Sequence, residues 1–161
     1  MKILKNLSCA ISIAAFALAV GQAGAQQRPS YGQAVNLETA KKIAAASMAE
    51  ARRNNWNVAV AILDNHGMLI YYEMLDDTQT SSATIAIEKG RTAAMFRRPS
   101  KAFEDGIAGG RTAILGLPGV TPIDGGLPIL VGGKIIGGVG VSGVNSDQDA
   151  QIARAGLEAL K

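Results

Sequence analysis

The stretch Gly125-Gly-Leu-Pro-Ile-Leu-Val-Gly-Gly-Lys-Ile-Ile-Gly-Gly-Val-Gly-Val-Ser-Gly143 decides how this chain is built. Residues 127–131 and 134–142 are short apolar runs, and Gly132-Gly133 between them is a two-residue hairpin turn. The same grammar occurs upstream. Residues 56–64 alternate, with Trp56, Val58, Val60 and Ile62 on one side and Asn57, Ala59, Ala61 and Leu63 on the other, so both faces are expected to be covered. Asp64-Asn-His-Gly67 is a turn, and residues 68–75 form the returning strand of a first hairpin. Residues 113–117 read as a further short strand. Helical spacing marks residues 37–54, capped by Asn36, and residues 81–96. A short helix over 99–107 follows, ended by Gly109-Gly110. The last helix runs over 146–161 and places Asp149 at the capping-box position. Successive hairpins flanked by helices predict a single α+β domain with an antiparallel sheet.

The chain has 161 residues, 48% of them hydrophobic and 18% charged, enough apolar side chain for a packed core. Nineteen glycines against seven aromatic residues describe a lean aliphatic interior. That composition excludes collagen, coiled coil and the aromatic platforms of single-strand nucleic-acid binders. Residues 1–25 have the order of a secretory signal. Lys2 and Lys5 precede an uncharged apolar run over 10–20, and Ala23-Gly24-Ala25 forms the cleavage site. The expected mature protein begins at Gln26, with a flexible lead over 26–36 and the folded domain over 37–161. Its destination is the periplasm or the exterior. Loss of Lys2 and Lys5 lowers the net charge from +3 to +1, which leaves no nucleic-acid footprint. The only cysteine, Cys9, departs with the signal, so the mature chain has neither a disulfide nor a thiol nucleophile.

Few residues remain to carry chemistry. His66 is the only histidine, so a multi-histidine metal site is excluded; it reads either as an iron ligand or proton carrier on an exposed turn, or as a solvated turn residue. Glu73, Asp76 and Asp77 cluster at the end of the second strand, where carboxylates either divide acid and base roles or solvate a loop. Lys89, Arg91, Arg97, Arg98 and Arg111 form a basic set suited to carboxylate or phosphate groups, with Lys89 and Arg97 two turns apart on one helix side. Small neighbours at Ala86, Gly90 and Ala93 place Lys89 in a recess. The glycine stretches lack Gly-Lys-Ser/Thr and a following helix, which disfavours a nucleotide loop.

Four motifs occur in order: Lys89-Gly-Arg-Thr-Ala-Ala-Met-Phe96, Gly125-Gly-Leu-Pro-Ile129, Gly133-Lys-Ile-Ile-Gly-Gly-Val-Gly-Val-Ser-Gly143 and Asp147-Gln-Asp149. Together they resemble the GlcG/HbpS family, the haem-degrading domain group, over residues 37–160. The resemblance implies a central antiparallel sheet of about five strands, assembly into homo-oligomers and, in some members, binding of haem or a corrinoid. Met74-Leu75-Asp76 stands where the family usually reads Arg-Met-Asp, and Gly90 replaces an alanine.

Two functional readings follow. The first is an exported tetrapyrrole-binding protein with slow haem breakdown. His66 is then the iron ligand, Tyr71 and Tyr72 are alternatives, and Lys89, Arg91 and Arg97 receive the propionates. The second is a periplasmic enzyme for a small carboxylate or hydroxy acid. There Lys89 orients the anion, Glu73 or Asp76 moves a proton, and the pocket lies beside residues 125–128. A membrane sensor or transporter is a further candidate partner.

Overall fold

The structure is a computed structural model that describes residues 27–161. The expected signal over 1–25 and its cleavage site lie outside the described residues. Helix α1 spans Leu37–Arg53, and the Asn36 side chain accepts from the Thr39 N–H at 2.8 Å, as its cap position requires. Strands β1 (Ala59–Asp64) and β2 (Leu69–Met74) form the first hairpin. Helices α2 (Ser82–Phe96) and α3 (Lys101–Ala108) follow. Strands β3 (Gly126–Val131) and β4 (Lys134–Ser142) form the second hairpin, and α4 (Ser146–Glu158) closes the fold. The sheet order is β2-β1-β4-β3, antiparallel throughout. None of the described helices is long and apolar enough to cross a membrane.

Both faces of the sheet are covered, as the composition of β1 predicts. Val58, Val60 and Ile62 share one face with Val139, Val141, Leu127 and Ile129, and pack against the apolar sides of α1 and α4. Ala59, Ala61 and Leu63 face the other way, towards Ala86 and Ile87 of α2. Register explains the glycine-valine alternation of β4. Val139 and Val141 pair with Ile62 and Val60 on the α1/α4 face, while Gly138 and Gly140 pair with Leu63 and Ala61 on the α2 face.

Helix α2 therefore rests on strand backbone. A Cβ at Gly140 would overlap the carbonyl oxygen of Ala86 and the Gly90 nitrogen, and one at Gly90 would overlap Leu63. The glycines of this stretch admit a helix rather than a phosphate.

The sheet has four named strands, one fewer than the family resemblance suggests. Residues 30–32 make up part of the difference. Tyr31 forms a parallel bridge to Ile135, flanked by bonds from Gly32 N–H to the Ile135 carbonyl and from Ile135 N–H to the Ser30 carbonyl, each 2.8 Å. This end of the lead is thus hydrogen-bonded to β4. Residues 113–117 are not a strand: Thr112–Gly116 is a 3₁₀ turn with bonds from Ile114 N–H to Arg111 and from Leu117 N–H to Ile114. Only Ile114 of that turn is buried, so the apolar run has no neighbouring strand to alternate against. At the start of α4 the cap is Asn145, whose N–H donates to Gln148 Oε1 at 3.2 Å. Asp149 is displaced from the expected capping role by one residue and turns inward.

Gly140→Ala is expected to destabilise the domain by about 3 kcal/mol through overpacking against α2. Gly116→Ala, at a position with open space around it, should stay within about 0.5 kcal/mol of the parent. Urea denaturation of the two variants checks the contrast.

Candidate ligand-binding site

Because α2 lies so close to β4, Lys89 is carried into the interior. Its Nζ donates to Asp149 Oδ2 at 2.8 Å, and both side chains are 2% exposed. Asp149 Oδ1 accepts from the Val144 N–H at 3.2 Å. Gly125, at φ 114°, closes over the pair: a Cβ there would stand 2.9 Å from both Lys89 Nζ and Asp149 Cβ. Burial pushes the Asp149 carboxyl above its ordinary value. The Lys89 ammonium and the Val144 N–H oppose that rise, and the charge of Asp124 adds to it. The expected open recess at Lys89 is thus filled by an ion-pair partner and a glycine loop. Lys89 lines none of the principal cavities. Arg97 does not share its helix side, because it ends α2 in the left-handed conformation at φ 56°.

The carboxylates of the enzyme reading are elsewhere. Glu73 pairs with Val60, which puts it on the α1 face, where Arg52 Nη2 reaches Glu73 Oε1 at 3.2 Å. The sheet separates it from Lys89. Asp76 is exposed in a cleft of about 650 Å³ with Arg52, Trp56 and Asn57. Lys89, Glu73 and Asp76 therefore do not converge, and the proton-transfer site expected of them is not assembled. Tyr71 and Tyr72 also part, on opposite faces. Tyr71 packs with the α1 side and Tyr72 with Ala61, its hydroxyl donating to Met74 Sδ at 3.1 Å. Burial raises the Tyr72 pKa.

His66 stands exposed on the β1–β2 turn. Asp64 Oδ1 accepts from the N–H groups of His66 (2.8 Å) and Met68 (2.9 Å), and Gly67 takes φ 80°, so the turn conformation is specified. Together with Tyr31, Asn65 and Met95, His66 lines a recess of about 320 Å³. Arg91 Nε donates to the Gly67 carbonyl at 3.0 Å, which ties the turn to α2. Tyr31 donates its hydroxyl to the Met95 carbonyl at 2.6 Å, and the Arg97 guanidinium lies 5.3 Å from the centre of the Tyr31 ring. Asn65 Nδ2 holds the Gly32 carbonyl at 2.7 Å, and Asn65 Oδ1 is buried without a partner.

Of the expected ligand residues, His66, Arg91 and Arg97 thus share a neighbourhood, and Lys89, Tyr71 and Tyr72 do not join it. Tyr31 and Met95 belong to the recess and were not expected there. Met95 follows Arg91 by four residues on α2, which is a readable signal; Tyr31 lies in the lead and carries none.

The donor set is an imidazole and a thioether beside a phenol, a combination suited to porphyrin iron. Among the described residues no three His, Cys, Asp or Glu side chains converge to hold a bare metal ion.

Residues 35–158 match the family of the haem-degrading protein HbpS-like, and the chain belongs to that family. It is 44% identical to Protein GlcG of Escherichia coli K12 over 108 residues, covering 67% of this chain and 81% of that protein. A double mutant of HbpS from Streptomyces reticuli superimposes with TM-score 0.75 at 28% identity, over 96% of this chain and 99% of that one. The crystal structure of a PduOC:heme complex gives TM-score 0.71 at 25% identity, over 78% and 94%.

Breaking the buried pair by Lys89→Met should cost roughly 3–5 kcal/mol, because it strands a carboxylate. Lys89→Met combined with Asp149→Leu should cost less than the sum of the two single changes, by chemical denaturation. The raised Asp149 pKa also sets a sign. Its contribution to stability is full below the ordinary value of 3.8 and falls as pH rises through the raised folded value. Asp149→Asn should remove that part of the slope.

Proposed function

We propose that the protein is an exported, oligomeric haem-binding protein whose iron ligand is His66. One observation carries this reading: the only histidine of the chain lines a surface recess with Met95 and Tyr31, and Arg91 is fixed to the same turn. The HbpS-like family and the haem held by the PduOC neighbour support it.

The unprotonated nitrogen of the His66 imidazole would donate to iron, and the Met95 thioether is the second available donor. Arg91 and Arg97 would receive propionates through charge-assisted hydrogen bonds. At about 320 Å³ the recess is at the small end of ligand sites. It would seat one edge of a porphyrin and leave the rest on the surface. A second copy of the chain would cover that remainder, and Met68, Leu69 and Met74, all exposed, supply apolar surface along β2. When bound, haem supplies a redox-active iron, and slow breakdown in the presence of peroxide needs no dedicated acid or base from this chain. Export to the periplasm or exterior rests on the signal-like order of residues 1–25.

A hemin titration followed by absorbance tests the reading. The parent protein should give a saturable shift of the main haem band, and His66→Ala should weaken the affinity and move the band. An unchanged hemin spectrum at micromolar protein would reject haem binding. A shift identical in His66→Ala would reject His66 as the ligand.

A further inference from the structure

A larger cavity lies beside Arg97, which contributes to its lining, and its other lining residues are unused by the haem reading. It measures about 540 Å³ and is bounded by the lead, the α2–α3 junction, the β3–β4 hairpin and α4. Arg28, Arg97 and Arg98 contribute to one side of its lining, and Leu127, Leu130 and Leu157 to another. No His, Met, Cys or Tyr lines it, so it offers iron nothing.

Its charges are unusual in having no counter-charge. Among the described residues, none of Arg28, Arg97, Arg98 and Arg111 forms an ion pair. The Arg98 guanidinium stacks on Phe103 at 4.0 Å, and its Nε is buried without a hydrogen-bond partner. Arg28 Nη1 and Arg97 Nη1 reach only backbone carbonyls, of Phe96 at 3.3 Å and Pro29 at 3.2 Å. The Arg98 pKa is lowered, first by burial and then by the charges of Arg28 and Arg111. Like charges gathered around an apolar space repel one another until an anion enters, and planar guanidiniums favour a carboxylate.

We propose that this cavity binds an amphipathic monocarboxylate, an acid with an unbranched or aromatic apolar body, whose carboxylate is received by Arg28 and Arg98 while its body lies against Leu127, Leu130 and Leu157. The two residues that receive the carboxylate, Arg28 and Arg98, are distinct from those assigned to haem, and Arg97 borders both regions. Nucleotides and sugars are disfavoured by the apolar lining, and inorganic anions would leave the apolar walls uncovered.

The test is calorimetric titration of the full protein with decanoate, kept below its micelle concentration. Decanol and inorganic sulfate are the comparisons. Decanoate should saturate one site, with decanol at least roughly tenfold weaker for want of a hydrogen bond to a charged group and sulfate at least roughly tenfold weaker for want of a buried apolar body. Arg28→Gln and Arg98→Gln should each weaken decanoate by roughly tenfold or more and leave hemin binding unchanged, whereas His66→Ala should do the reverse. Leu130→Trp, on an exposed side chain, should block decanoate by filling the cavity without touching a cation, so the proposal survives a folding defect in Arg98→Gln. Absence of decanoate binding to the parent protein would overturn it. So would undiminished binding in the Arg28→Gln/Arg98→Gln double variant.

Discussion

The arrangement depends on one steric constraint: α2 lies against the backbone of β4 with no side chain between them. Ordinary helix-on-sheet packing leaves room for a layer of interdigitating side chains. Here Gly138 and Gly140 of β4 and Gly90 of α2 remove that layer. Glycine inside a helix or strand costs about 0.5–1 kcal/mol relative to alanine. The close contact and the buried small face of β1 offset that cost. The same closeness carries Lys89 inward, so this long cationic side chain is buried and must have an anion beside it.

Asp149 is that anion, and its position has consequences beyond neutralising a charge. It belongs to the first turn of α4, which packs with α1 on the opposite face of the sheet. The pair therefore joins helices from the two outer layers beneath the Gly125 turn. A buried ion pair contributes little net stability over an apolar pair of the same volume, and its removal one partner at a time is what costs. Here it links α4 to α2 through a single 2.8 Å hydrogen bond. The elevated Asp149 pKa fits this account: burial of the carboxyl outweighs the neighbouring ammonium.

Much of the fold was legible because it is encoded locally. Strand alternation in residues 56–64, the Gly132-Gly133 turn and the Asn36 cap each depend on neighbouring residues; the turn and the cap have their expected form, and the strand begins at Ala59 rather than at residue 56. Residues 113–117 misled because Ile114, Leu115 and Leu117 are apolar in number, yet only a tertiary neighbour decides whether an apolar run alternates. Asp149 misled for a related reason. The residue that caps α4 is Asn145, one place earlier than the expected start, and a one-residue displacement on a helix changes which side chain turns inward. In the candidate site, the turn position of His66 and the helix position of Arg91 were legible. Lys89 was marked out by its small neighbours, but its partner lies 60 residues away and no local pattern points to it. Tyr31 is placed by long-range contacts, its bridge to Ile135 and its hydroxyl bond to the Met95 carbonyl, which no local pattern signals.

The end of α2 shows how the two cavities are kept apart. Arg97 caps the helix at φ 56°, a conformation that costs a non-glycine residue about 1 kcal/mol or more. A glycine there would relieve the strain and lose the side chain. With arginine retained, the chain reverses in a single residue. Arg97 meets the Tyr31 ring and the Pro29 carbonyl, which offset the strain, and Arg98 reaches Phe103. Two consecutive guanidiniums are thus assigned to different aromatic rings, one in the lead and one in α3. That division requires residues 29–31 to be held against β4, so the hydrogen bonds of the lead to Ile135 take part in shaping both cavities.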